Sequence, residues 1–357
     1  MPKCLVVALM FSALFLSAAQ TPPKPADLLP KDPRAILEAA GPFYDFGDAT
    51  LKPWHLKATY QLYDEKGQPA GQGTYEFWWA SPGNSHRTWT RSGATRSEWL
   101  KPDGSFYRKD GGLQARYFER LIGELWVNPF PDRGLLDSNR TKLDLKMVPA
   151  GSKQLACVGA THQVQIGGKL VTPTFSMPDY YCFGPDHPVL RLKSSNQMTT
   201  KYDNIVKAQG RYIARQVAVS MADAKLFSAS VDVLEGFDPA QVEMQPPADA
   251  ALVHGVVVPA DEASVKTGVV AGALVKKIQP FYPEFAKAAQ IQGTVRLAAV
   301  IGTDGKVKDV EPLVSPAPSL TIAAMECVKG WQYKPSLFNG NPVEVETIIS
   351  VVFSLGH

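Results

Sequence analysis

Residues 279–310 read QPFYPEFAKAAQIQGTVRLAAVIGTDGKVKDV, and this stretch decides the fold of the C-terminal part. Tyr282-Pro283 sets up a helix start, because proline is tolerated in the first helical turn. Phe285, Ala286, Ala289 and Ile291 follow as core-facing positions. Gly293 ends the helix or frees the backbone for a strand. Over Thr294–Ile301, the residues Val295, Leu297, Ala299 and Ile301 fall on one strand face. Gly302-Thr303-Asp304-Gly305 is a turn, and Lys306–Leu313 is the partner strand. Ser319 reads as an N-cap, followed by Leu320, Ala323, Ala324, Cys327, Val328 and Trp331 at helical spacing. Asn339-Gly340 marks a further turn. In the last run, Val345, Thr347, Ile349, Val351, Phe353 and Leu355 alternate with Glu344, Glu346 and Ser350. Helix, hairpin, helix and strand make a small α+β sandwich, with Tyr282 and Trp331 in its core.

This ordered set resembles the C-terminal domain of the TonB family. The matching positions are Tyr282-Pro283, Gly293–Ile301, Asp304-Gly305, Trp331, Pro335, Gly340 and Val343, about a fifth of the chain. The resemblance implies a partner-docking module whose last strand lies at a sheet edge and pairs with an extended partner segment. Here that strand is Val345, Glu346, Thr347, Ile348, Ile349, Ser350, Val351, Val352 and Phe353. The implied partner is an outer-membrane receptor or another envelope protein. Energy-transducing members keep a membrane anchor and carry a long Pro-Lys/Pro-Glu spacer. This chain departs from that pattern: its proline-rich stretch Thr21–Pro33 is short, and its apolar N-terminal segment has no histidine.

Residues 1–19 read as a cleavable secretory signal. Lys3 supplies the positive end, Leu5–Leu16 the apolar run, and Ser17-Ala18-Ala19 the small residues of a cleavage site. The apolar run is about a dozen residues, short of the ~20 that span a bilayer. No cysteine follows the cleavage site, so the signal is not of the lipoprotein kind. The expectation is a mature periplasmic chain from about Gln20, with a proline-rich lead to residue 34. Retention of the segment would instead leave an inner-membrane anchor and an energy transducer.

The 37 basic and 34 acidic residues nearly balance, and no run of Lys or Arg suggests a nucleic-acid footprint. Cys157, Cys182 and Cys327 remain after the signal. A secreted context favours pairing, and Cys157 and Cys182 lie in one domain on strand-like segments, which predicts their disulfide. Cys327 reads as a small buried hydrophobe.

Residues 35–238 read as an antiparallel β-rich domain. Trp54, Leu56, Ala58, Tyr60 and Leu62 share one face, as do Tyr75, Phe77 and Trp79. Further strands fall at Ser85–Arg91, Thr95–Leu100, Ser105–Lys109, Gln154–Val158, Thr161–Ile166, Pro173–Phe183, Val189–Lys193, Gln197–Val206, Arg211–Ser220 and Ala224–Leu234. One helix interrupts them, with Leu113, Tyr117, Phe118, Leu121, Ile122, Leu125 and Trp126 as its apolar stripe. A curved sheet wrapped on one or two helices resembles the half-barrel of periplasmic lipoprotein carriers. Six of the seven tryptophans fall in this domain, where they either fill a core or line a cavity for an apolar ligand. Residues 239–268 read as a linker with a short extended stretch at Leu252–Val258, and residues 269–357 as the TonB-like domain.

No active site is expected. The six histidines are scattered without metal-ligand spacing. Gly111-Gly112 and Gly167-Gly168 are hairpin glycines, and Asp179, Asp186 and Glu98 are isolated acids. No catalytic residue, metal or cofactor is assigned. Two functions follow: an interaction protein that grips an extended envelope-protein segment, or a carrier of a lipid or other apolar ligand with the C-terminal domain as its docking handle.

Overall fold

The alternation of β1 (Trp54–Tyr63) sets the architecture. Trp54, Leu56, Ala58, Tyr60 and Leu62 are all buried on one face, as the sequence predicts. The computed structural model describes residues 29–64, 66–127, 129–130, 141–166, 169–172, 178–185, 187–195, 198–221, 224–253, 269–270, 272–338 and 340–355. The expected signal, most of the proline-rich lead and the later part of the expected linker lie outside the described residues.

From β1 the chain steps outward through β2 (Pro69–Ser81), β3 (Asn84–Arg91), β4 (Ala94–Leu100) and β5 (Phe106–Gly111). It reappears at the far side as β6 (Thr141–Ala150) and β7 (Lys153–His162), with the small hairpin β8 (Val164–Ile166) and β9 (Lys169–Val171) beyond. It returns through β10 (Asp179–Phe183), β11 (Leu190–Ser195), β12 (Met198–Ala208), β13 (Arg211–Met221) and β14 (Ala224–Gly236), which pairs with β1. The two-residue β15 (Ala251–Leu252) then pairs with β5. The result is one open antiparallel sheet of 13 strands, ordered β15-β5-β4-β3-β2-β1-β14-β13-β12-β11-β10-β7-β6. It is half-barrel-like and does not close.

Its inner face is filled by aromatic side chains. Trp54 meets Phe77 edge-on at 5.1 Å and Phe46 at 5.5 Å, and its indole N–H donates to the Phe46 carbonyl. Tyr75 packs against Trp89 and Trp126 at 5.4 and 6.5 Å. Buried rings of this size supply most of the apolar area that drives folding. Three short helices cover this face: α1 (Pro33–Ala40), α2 (Tyr117–Leu121) and α3 (Glu124–Val127).

The helices are where sequence reading fell short. The single expected helix is two, because the chain turns at Ile122-Gly123. Helix α1 lies partly in the expected proline-rich lead. It starts on Asp32, whose carboxylate accepts from the Ala35 N–H at 2.8 Å, with Pro33 in the first turn. Edge strand β6 was also not anticipated. In the expected linker, Pro239–Gln241 forms a 3-10 turn, and Ala251–Leu252 is fastened to the large sheet.

The C-terminal part contains β16 (Val269–Val270), β17 (Leu274–Lys276), β18 (Gly293–Ile301), β19 (Val307–Val314), β20 (Gln332–Tyr333), β21 (Ser336–Phe338), β22 (Asn341–Val343) and β23 (Val345–Phe353). Its main sheet is ordered β19-β18-β23, all antiparallel. The helix Pro318–Lys329 buries Leu320, Ala323, Ala324, Cys327 and Val328 against Val295, Leu297, Ala299, Ile349, Val351 and Phe353. Trp331 and Tyr282 join this core, and Tyr282 meets Phe353 edge-on at 5.3 Å. Three expectations need correction. Phe285 is 75% exposed and Ala289 is also exposed; in the short helix Glu284–Ala288 it is Ala286 that turns inward. The N-cap of the long helix is Ala317, not Ser319, because Pro318 opens the helix. Gly305 is required by close approach. Its φ is +76°, and an added Cβ would meet the Tyr333 carbonyl at 2.0 Å.

Candidate functional site

Strand β23 pairs with β18 from Ile301↔Val345 to Gly293↔Phe353. Among the described residues no strand pairs on its other side. One face of β23 is committed to the small core through Ile349, Val351 and Phe353. On the opposite face Ile348 packs on the core of the large sheet, as do Ala298, Leu313 and Val314. Further along, Ser350 is exposed and Val352 is 66% exposed. Thr347 is half-buried, and Val345 and Glu346 border a cleft between the two sheets. The nine residues predicted to bind a partner thus form one continuous edge, tied to the N-terminal region at its start and exposed at its end.

The tie is ionic as well as apolar. Glu311 of β19 accepts from Arg116 Nε and from the backbone N–H of Tyr117, both at 2.8 Å. It therefore satisfies one of the orphan donors at the start of α2. Glu346 pairs with Arg120. Burial pushes the Glu346 carboxyl above its ordinary range, against the opposing pull of Arg120. Helix α2 is itself anchored by Glu119, which is fully buried. Its carboxylate accepts from Arg91 Nε at 2.8 Å, from the Arg116 N–H at 2.7 Å and from the Tyr60 hydroxyl.

The cleft encloses about 710 Å³. Its wall on the side of the large sheet and its covering helices includes Arg87, Trp89, Arg96, Glu98, Phe106, Arg108, Arg120 and Glu124. Its other wall includes Lys308, Asp309, Glu344 and Glu346. Glu98 faces the inner side of β4, where the pairing of β3, β4 and β5 places Arg87 and Arg108 on either side of it. Burial alone would raise its pKa, but Arg87, Arg96 and Arg108 outweigh it and hold it at about 2. Glu98, expected as an isolated surface acid, is 5% exposed and carries this cluster. The pairing of β3 with β4 puts both side chains on the inner face, where nothing in the alternation signals that a charge replaces an aromatic.

The cavity beside Tyr44, Trp126 and Tyr202 holds about 10 Å³. The Cys157–Cys182 disulfide joins residues directly opposite each other on β7 and β10, and Cys327 is free and buried. Among the described residues no group of three or more His, Cys, Asp or Glu is arranged to hold a metal ion. Nor is any described helix long and apolar enough to cross a membrane. Of the other isolated acids, Asp179 opens β10, and Asp186 lies outside the described residues.

Residues 278–355 match the protein family described as Gram-negative bacterial TonB protein C-terminal. No curated protein matches the chain. Among solved structures, a LolA superfamily protein, NE2245 from Nitrosomonas europaea, is similar with 10% identity and a TM-score of 0.38. That similarity covers 60% of this chain and 97% of the other. A DUF1329 family protein from Desulfovibrio piger is similar with 12% identity and a TM-score of 0.37, covering 60% of this chain and all of its own.

Proposed function

We propose that this protein is a non-enzymatic docking protein of the bacterial envelope. In this reading, it captures an extended segment of an outer-membrane or other envelope protein by adding it as a strand to the open side of β23. The observation that carries the proposal is the state of the sheet edges in a region that matches the TonB C-terminal family. An edge strand offers a row of N–H and C=O groups that another chain can pair with. Strand β23 offers nine residues without an internal proline or lysine. Main-chain bonds would supply most of the affinity, so the site tolerates varied partner sequences. The exposed Ser350 and Val352 would add limited side-chain selection.

Proline at Ser350 or Val352 tests this directly, because both side chains are exposed and the ring would intrude little on the core. Each variant of the full chain is checked for folding by circular dichroism and then used to capture partners from envelope extract. The expected result is loss of the captured envelope protein with the fold retained. A folded proline variant that captures the same protein as well as the parent would rule out strand addition at this edge.

A further inference from the structure

Arg296 of β18 stands beside the open edge without a counter-charge. It is half-buried, and its Nη1 donates to Ser350 Oγ at 3.1 Å. Among the described residues no carboxylate lies within salt-bridge distance of it. Burial holds its guanidinium below the ordinary arginine range, and no neighbouring charge among those residues acts against that. A guanidinium offers five N–H donors in a planar fork, so one neutral hydroxyl leaves most of its capacity unused. Two carboxylates that share this face of the small sheet are already committed. Glu311, opposite Ala298 on β19, accepts from Arg116, and Glu346 on β23 pairs with Arg120.

The geometry also gives the guanidinium a direction. Ser350 lies directly opposite Arg296 in the pairing of β18 with β23. The bond to Ser350 therefore carries the charge off its own strand and over β23, toward the open side. On the other flank Arg296 faces Val314 of β19, whose side chain accepts nothing. A strand added beyond β23 would lie about 4.8 Å further out. Its residue opposite Ser350 would project to the same face, with its Cβ roughly 5 Å from that of Ser350, whichever way the strand runs. Asp or Glu there would meet the spare donors of Arg296. A neutral side chain would leave them unmatched, and Lys would be repelled.

We infer that the segment added at β23 carries an acidic side chain opposite Ser350, and that Arg296 selects it. The inference rests on strand addition at β23 and names the chemistry of the partner there.

Fluorescence anisotropy on the full chain tests it with three labelled peptides of nine residues, the length of β23. Each alternates Thr and Val, has capped ends, and carries Glu, Gln or Lys at its centre. The Glu peptide should bind about threefold to tenfold tighter than the Gln peptide, and the Lys peptide should bind most weakly. The preference should shrink as salt is raised. Arg296→Gln, folded by circular dichroism, should bind the Gln peptide like the parent and lose the preference for Glu. Arg296→Lys keeps the charge but not the fork, and its preference should fall between the two. Lys109→Gln, whose side chain pairs with Asp249 on the large sheet, should keep the parent's preference. Equal binding of the Glu and Gln peptides by the parent would overturn the inference, as would a preference that survives Arg296→Gln. Strand addition itself would still stand if Ser350→Pro abolished binding of both peptides. Binding of none of the three would count against strand addition at this edge, and the inference would fall with it.

Discussion

The large and small sheets treat their outermost strands in opposite ways. At one end of the large sheet, β6 carries Lys142, Asp144 and Lys146 and has Pro149, which cannot donate to a new partner, next to its last residue. At the other end, β15 is only two residues long. In the small sheet, β19 is interrupted by Pro312 and carries Lys308, Asp309 and Glu311. Strand β23 alone among these four edges is long and free of internal proline and lysine. Edges left open in this way invite pairing, and blunted ones refuse it. Under the proposed function, the large region supplies structure and the small one contact.

The largest expected effect tests the structural half of this contrast. Replacing Glu98 by Gln leaves three arginines without their shared charge and should cost about 3–5 kcal/mol in denaturant unfolding. Acid should act the same way. The Glu98 pKa is depressed from 4.5 to about 2, so its contribution is present above the ordinary Glu range and is lost as pH falls from about 4.5 toward 2. A shift of that size is worth roughly 3 kcal/mol. A stability profile flat across that interval would show that the arginines do not hold the carboxylate.

Removing the disulfide with Cys157→Ala and Cys182→Ala together should cost roughly 2–4 kcal/mol, since the bond closes a loop with a sequence separation of 25. Partner capture should persist in the pair variant wherever it remains folded. Loss of capture by folded protein would mean that the large region itself holds the partner. Cys327 should react with thiol reagents only after unfolding, because burial both hides it and raises its thiol pKa.

Two smaller changes probe the edges themselves. Val352→Lys puts a charge on the exposed face of β23 and should change stability by no more than about 0.5 kcal/mol while weakening capture. Unchanged capture by this variant would say that the open end of β23 does not touch the partner. Glu346→Gln should have the smallest effect, under about 1 kcal/mol, because burial opposes ionisation at that position while Arg120 favours it. A cost of several kcal/mol would identify this pair as the main tie between the two regions.

How much of this was legible depended on the range of the interactions. Turn glycines, strand alternation and the helical spacing of Leu320–Trp331 are local, and they placed the small sheet and its last strand correctly. The inner face of β1 was equally readable, because burial on one face of a strand repeats every second residue. Phe285 differs from expectation because apolar character alone does not say which residue of a one-turn helix faces inward; the smaller Ala286 does. Helix α1 had a readable start in Asp32-Pro33, masked by the prolines before it. Strand β6 showed alternation at Leu143, Leu145 and Met147, but at an edge that pattern does not imply burial, and Met147 stays 52% exposed. The cleft could not be read at all. Glu311 and Glu346 meet Arg116 and Arg120 across 195 and 226 positions, and the Glu98 cluster depends on the register of three paired strands.

Amide hydrogen exchange across β23, with and without the captured envelope segment, tests the central claim most directly. Strand addition predicts new protection within Val345–Phe353, on amides that β18 does not already protect. The exposed face of the helix Pro318–Lys329 and the Phe281–Phe285 segment should stay unchanged. Protection that appears on those elements and leaves β23 as it was would contradict the account.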